Sequence, residues 1–123
     1  MSDSDIPDVD ERILDDLLAS VEGDRAFVID LIEAYLSDGA EQVAQVEAAI
    51  DAANLEALVR PAHSLKSSSA TVGAARLAAM ARELELAGRE GRLDDGGARG
   101  MALRTAWEAG GSALRAWIAR GAA

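Results

Sequence analysis

Apolar side chains recur along this chain at helical spacing, and that recurrence restricts its fold more than any other feature. Val28, Ile32, Tyr35, Gly39, Val43, Val46 and Ile50 follow one another at steps of three and four residues, which gathers them onto one face of an α-helix. One long helix over about 25–51 follows, with Gly39 as its weak point. Leu55, Leu58, Ala62, Leu65, Ser69 and Val72 form the next stripe, stopped by Gly73. Leu77, Met80, Ala81, Leu84 and Ala87 mark a helix over about 74–88, and Leu103, Trp107, Gly110, Leu114 and Trp117 one over about 101–119, weakened at Gly110 and Gly111. Before all of these, Val9, Ile13, Leu17 and Val21 predict a short helix over about 9–21, ended by Gly23, with Asp24 as N-cap of the helix that follows.

Four long amphipathic helices with short connections pack most simply as an antiparallel up-down four-helix bundle, here with a short additional N-terminal helix. Composition supports this all-α reading. Alanine and leucine dominate, and Phe27, Tyr35, Trp107 and Trp117 are the only aromatic residues, so the core is aliphatic and strand-favouring residues are scarce. A chain of 123 residues fills one core and not two. The expected organisation is a flexible acidic tail over residues 1–8 and one domain over 9–119. The segment GREGRLDDGGARG, residues 88–100, reads as the principal loop. It lacks the Lys-Ser or Lys-Thr ending of a phosphate-binding P-loop. Pro61 falls inside the predicted third helix, where loss of its N–H predicts a kink just before His63.

Several chemistries are excluded. There is no cysteine, hence no disulfide, thiol nucleophile or zinc-thiolate site. Asp3, Asp5, Asp8 and Asp10 lack the glycine and distal glutamate of a calcium loop. The polar, acidic N-terminus is unlike a signal peptide and no apolar run approaches a bilayer span, so a cytoplasmic protein without membrane contact is expected. The formal net charge is −10. Residues 1–59 hold sixteen acids against Arg12 and Arg25, whereas residues 60–123 hold six acids and ten bases. An acidic chain with scattered bases is a poor nucleic-acid binder.

The chemistry points to one place. His63 and Lys66, three residues apart, are the sole histidine and the sole lysine of the chain. At about 100° per residue, Leu65, Leu58, Ser69 and Ala62 cluster on the far side of the helix from His63, which therefore faces water. Lys66 leans to the same side one turn on, and Ser64, Ser67, Ala70 and Thr71 leave the approach to the ring low. Imidazole titrates near pH 6.5 in model compounds, so around neutrality a large share offers a free ring nitrogen as nucleophile. An ammonium nearby would hold the charge of a phosphoryl group. No second histidine, metal cluster or nucleotide loop completes an enzyme, so the residues describe a carrier of phosphate.

The stretch AHSLKSSSATVGAARL followed by RELELAGREG resembles the histidine-containing phosphotransfer domain of bacterial multistep two-component relays, and the likeness in helix pattern extends from residue 9 to about 118. The family pattern of histidine, any residue, leucine, lysine and a small residue falls on His63, Leu65, Lys66 and Ser67, with Ser67 replacing the commoner glycine. The resemblance implies that His63 accepts a phosphoryl group from the aspartate of one receiver domain, such as that of a hybrid sensor kinase, and passes it to the receiver domain of a response regulator. It implies that Glu85 orients the imidazole by a hydrogen bond, unless it pairs with Lys66 instead, and that Arg89 helps orient the phosphoryl group or partner. Lys66 would stabilise the phosphoryl group, and Ser64, Ser67, Ala70, Thr71 and Arg89 would meet the partner. No cofactor is expected on this chain, which would act as a monomer; Mg2+ would belong to the receiver. Two alternatives compete. A histidine-kinase dimerisation and phosphoacceptor domain typically has an acidic residue just after its histidine and a proline five after it, where Ser64 and Ser68 stand here. A purely structural adaptor bundle would need no phosphohistidine.

Overall fold

The computed structural model describes residues 5–121, which form five α-helices and no strand. They are α1 (Glu11–Ser20), α2 (Arg25–Asp51), α3 (Val59–Thr71), α4 (Ala75–Glu90) and α5 (Gly96–Arg120), with a short 3-10 turn, Glu56–Leu58, leading into α3. Each of the four longer helices packs against two others: α2 against α3 and α5, and α4 against α3 and α5. The α3–α4 seam is the most extensive. The short α1 lies against α2. Among the described residues no helix is long and apolar enough to cross a membrane.

The apolar stripes become the core. Val28, Ile32, Val43 and Val46 of α2, Leu65 of α3, Leu77 and Ala81 of α4, and Leu103 and Leu114 of α5 are buried. Ser69, the polar member of its stripe, is also buried, and its hydroxyl meets the Tyr35 hydroxyl at 2.8 Å. That bond satisfies both groups inside an apolar interior. Burial pushes the Tyr35 phenol up to about 12, against the opposing effect of the Ser69 hydrogen bond. The Tyr35 ring packs at 56° to the Trp107 ring, centroids 5.4 Å apart, which joins α2 to α5. The same helices are fastened at the other end of the pair by Arg25. Its guanidinium lies 3.9 Å over the Trp117 ring and donates to the Trp117 carbonyl at 2.6 Å, serving a carbonyl that the end of α5 leaves without a helical partner.

Helix starts follow the expected chemistry where a cap is present. The Asp24 carboxylate accepts from the Phe27 N–H at 3.1 Å, as anticipated, and Asp10 likewise accepts from the Arg12 N–H at 3.1 Å. Other boundaries moved. The first helix is shorter than the 9–21 expected, and its one fully buried side chain is Leu14, off the four-residue row of Val9, Ile13, Leu17 and Val21. The fourth runs to Glu90, and the last begins at Gly96 and not near residue 101, which shrinks the expected loop over 88–100 to residues 91–95. Three of the glycines read as loop, Gly96, Gly97 and Gly100, lie inside α5. A Cβ on Gly96 would come within 3.2 Å of Ile50, and at that position close packing against the end of α2 outweighs the poor helix propensity of glycine.

Pro61 does not interrupt a helix. Because α3 begins at Val59, Pro61 falls in its first turn, where a backbone N–H has no helical acceptor and its absence costs nothing. The expected acidic tail is fastened over its described part. The Arg76 backbone N–H donates to the Pro7 carbonyl at 3.0 Å, its Nε to the Ile6 carbonyl at 3.1 Å, and its guanidinium pairs with Asp8 at 3.0 Å; residues 1–4 lie outside the described residues. Next to this strap, the Asp10 N–H donates to the Gly73 carbonyl at 2.8 Å. Gly73 has φ +81° and a Cβ there would sit 2.8 Å from the Asp10 carbonyl oxygen, so both conformation and space require glycine.

Gly39 carries a tight packing constraint in the core, since a Cβ would stand 2.5 Å from the Trp107 ring. Gly39→Ala gains up to about 1 kcal/mol of helix propensity but overpacks the core at a typical cost of about 1–3 kcal/mol. The net expectation is a lower midpoint in urea denaturation; a raised midpoint would show that α2 and α5 have room to separate.

Candidate functional site

The site lies on the α3–α4 seam. His63 and Lys66 project from α3, and Glu85 and Arg89 from α4. The imidazole side chain is 55% exposed, in agreement with the wheel that turns it away from Leu65 and Ala62. The helix keeps its neighbouring hydroxyls to itself: Ser68 donates to the Ser64 carbonyl and Thr71 to the Ser67 carbonyl, each at 3.0 Å. Ser67, Ala70 and Thr71 are exposed, and Ser64 is half-buried. The surface around the ring is therefore made of short side chains, as the sequence suggests.

Glu85 organises the charged groups. Its side chain is only 7% exposed; it follows Leu84 and stands one turn beyond Ala81, on the inward arc of α4. His63 Nδ1 lies 3.0 Å from Glu85 Oε2, and Lys66 Nζ lies 2.7 Å from Oε1. Arg89 donates to Oε2 through Nε at 3.1 Å and Nη2 at 2.7 Å. Imidazole hold and lysine pair, read from sequence as alternatives, coexist because the carboxylate offers two oxygens. The Arg89 contact was not anticipated in this form. Its signal was present, since a glutamate four residues before an arginine is a favourable helical pair.

These contacts fix the protonation state of the carboxyl. Donation from Lys66 above all, then from Arg89, with a smaller part from His63, holds Glu85 down at about 2 against the opposing effect of burial. Glu85 is thus ionised at neutral pH and can only accept hydrogen bonds. The proton between it and the ring consequently sits on Nδ1, so that in the neutral ring Nε2 carries the free lone pair. Among the described residues, no group of histidine, cysteine, aspartate and glutamate side chains is arranged to hold a metal ion.

The sequence model of the Hpt domain matches residues 30–117. The chain belongs to the Hpt family. The crystal structure of histidine-containing phosphotransfer protein B (HptB) from Pseudomonas aeruginosa superposes with a TM-score of 0.81 at 27% sequence identity, over 93% of this chain and 96% of that one. No curated protein sequence matches. Membership of the Hpt family gives this chain histidine phosphotransfer in a two-component phosphorelay as its function, in the role of a phosphate carrier.

The Glu85 arrangement has a measurable pH signature. Its folded-state value lies below the ordinary 4.5, so its stabilising effect is complete above that pH and is lost as pH falls towards 2. Carboxyl NMR titration should find Glu85 still ionised at pH 3, and Lys66→Ala should raise its midpoint. An unchanged midpoint in that variant would remove Lys66 as the main cause.

Proposed function

We propose that His63 carries the phosphoryl group, accepting it from the aspartate of one receiver domain and delivering it to the aspartate of another. The observation that carries this reading is the placement of the chain's one imidazole: Nδ1 faces a carboxylate at 3.0 Å while the ring is 55% exposed. The Nε2 lone pair attacks phosphorus, the bond from phosphorus to the donor aspartate breaks, and its electron pair stays on that carboxylate. Nε2 has no proton to lose. The ring gains positive charge as the new bond forms, so its Nδ1–H bond to ionised Glu85 becomes charge-assisted and strengthens. The same cationic ring is a good leaving group in the reverse direction, which suits a carrier that must surrender what it accepts.

Lys66 stabilises the phosphoryl group as a point charge one turn from the ring. Ser64, Ser67, Ala70 and Thr71, with Arg89 at the edge, form the low surface that admits the receiver. The receiver supplies the Mg2+ and most of the catalysis of transfer, and this chain has no kinase activity of its own. The pairing of α2 with α3 and α5, and of α4 with the same two, supports an antiparallel up-down four-helix arrangement with α1 added. We take residues 9–119 as the helical phosphotransfer unit, with residues 6–8 as the strap that Arg76 holds against it, acting as a cytoplasmic monomer between the receiver domain of a hybrid sensor kinase and that of a response regulator.

His63→Gln should abolish labelling by a phosphorylated receiver while the helical circular dichroism spectrum stays unchanged; retained acid-labile label would overturn the assignment. Ser67→Arg should keep the fold and slow transfer from the receiver by at least about tenfold, since a filled approach disrupts docked geometry. Transfer at the unaltered rate would remove the steric argument.

A further inference from the structure

The phosphotransfer reading assigns Lys66 to the phosphoryl group, yet in the structure Lys66 is already engaged. Its ammonium lies 2.7 Å from Glu85 Oε1, and a single cation cannot leave a buried carboxylate without cost, because an ion stranded out of water is strongly unfavourable. Release of Lys66 requires another cation to remain on Glu85. Arg89 occupies that position. It forks onto Oε2 through Nε and Nη2, and it lies four residues from Glu85 on the same helix, so its tether is short. Lys66 makes one contact, from α3, the helix that also carries His63. The Arg89 side chain is the more exposed, 56% against 33%, but it holds Glu85 by two bonds where Lys66 has one, so Lys66 has the fewer bonds to break in turning.

The geometry points to Arg89 as a positioning residue that acts through Glu85: it keeps the carboxylate neutralised so that Lys66 can pass from Oε1 to the phosphoryl oxygens on His63. This rests on the phosphotransfer reading and deepens it. Four donor atoms, His63 Nδ1, Lys66 Nζ and two nitrogens of Arg89, surround the two oxygens of Glu85, about as many as a carboxylate has lone-pair sites. After Lys66 departs, Arg89 and the ring still occupy Oε2. Without Arg89, departure of Lys66 would leave an under-compensated carboxylate next to a phosphoryl group of up to about two negative charges, and Lys66 would be retained on Glu85. Arg89 thus affects the phosphorylated state without touching phosphate.

The test uses the whole chain and phosphoramidate, a small donor whose phosphorus–nitrogen bond breaks with release of ammonia as the bond to Nε2 forms. Labelling with nitrogen-15 histidine and lysine reports one ring and one ammonium, since the chain has one of each. In the unmodified chain, the Lys66 ammonium signal should shift on phosphorylation. In Arg89→Gln it should stay where it was, and the phosphohistidine should hydrolyse about two- to fivefold faster, the size of a lost partly exposed charge pair. Lys66→Ala should hasten hydrolysis by a similar factor, and the double variant should be no faster than Lys66→Ala. Arg89→Lys, which restores a cation beside Glu85, should recover the slow rate and the Lys66 shift. Multiplying effects in the double variant would show that Arg89 contacts the phosphoryl group directly and overturn the inference, as would wild-type behaviour of Arg89→Gln. Absence of any phosphohistidine in the unmodified chain is a different result, and it would overturn the phosphotransfer reading itself.

Discussion

A carboxylate placed between two helices has to be compensated, and in this molecule the compensation of Glu85 ties the fold to the chemistry. Its side chain lies in the α3–α4 seam, and Leu65 and Ala62 of α3 and Ala81 and Leu84 of α4 are buried as it is. Three side chains from both helices converge on it. Ionic groups of this kind add little net stability relative to apolar packing. What they contribute here is geometry: the oxygen that anchors Nδ1 also fixes which ring nitrogen bears the proton. The orientation of a nucleophile on α3 is in this way tied to a group that α4 presents.

Much of this was legible in the sequence, because helical periodicity is a strong signal when the core is aliphatic. The stripes read for α2 and α3 predicted burial down to Ser69, with only their outermost members Ile50 and Leu55 half-buried, and the wheel that turned His63 outward used only the positions of its apolar neighbours. The misread boundaries share a cause. Gly96 carries the composition of a loop, but it sits inside α5 where Ile50 comes close. Pro61 has the composition of a break, but the 3-10 turn before it starts α3 so late that no helical bond is lost. In both cases the residue type reports a local property, and the deciding contact or register lies elsewhere in the chain.

The site divides in the same way. The nucleophile and the ammonium were visible from their isolation in the sequence, and Glu85 entered through family resemblance. Its burial was not legible, since a glutamate next to Leu84 reads as an exposed polar residue until the rotation of α4 is known. Nor could spacing alone show that Glu85 serves His63 and Lys66 together. Sequence gives the separation of two residues along one helix, whereas the two oxygens that serve separate donors across a seam are a fact of three dimensions.

The strap formed by Ile6, Pro7 and Asp8 on Arg76 bears on where this module can be cut. The family match begins at residue 30, inside α2, while Arg76 at the start of α4 takes its partners from residues 6–8 and the carbonyl of Gly73 takes its donor from Asp10. A chimera joined at the edge of the match would lose the first turn of α2, all of α1 and the backbone donors and acceptors that close the α3–α4 turn. The transplantable piece therefore starts ahead of Ile6, and a graft designed from sequence similarity alone would carry the phosphate-bearing face without the clasp at the far end of its two helices.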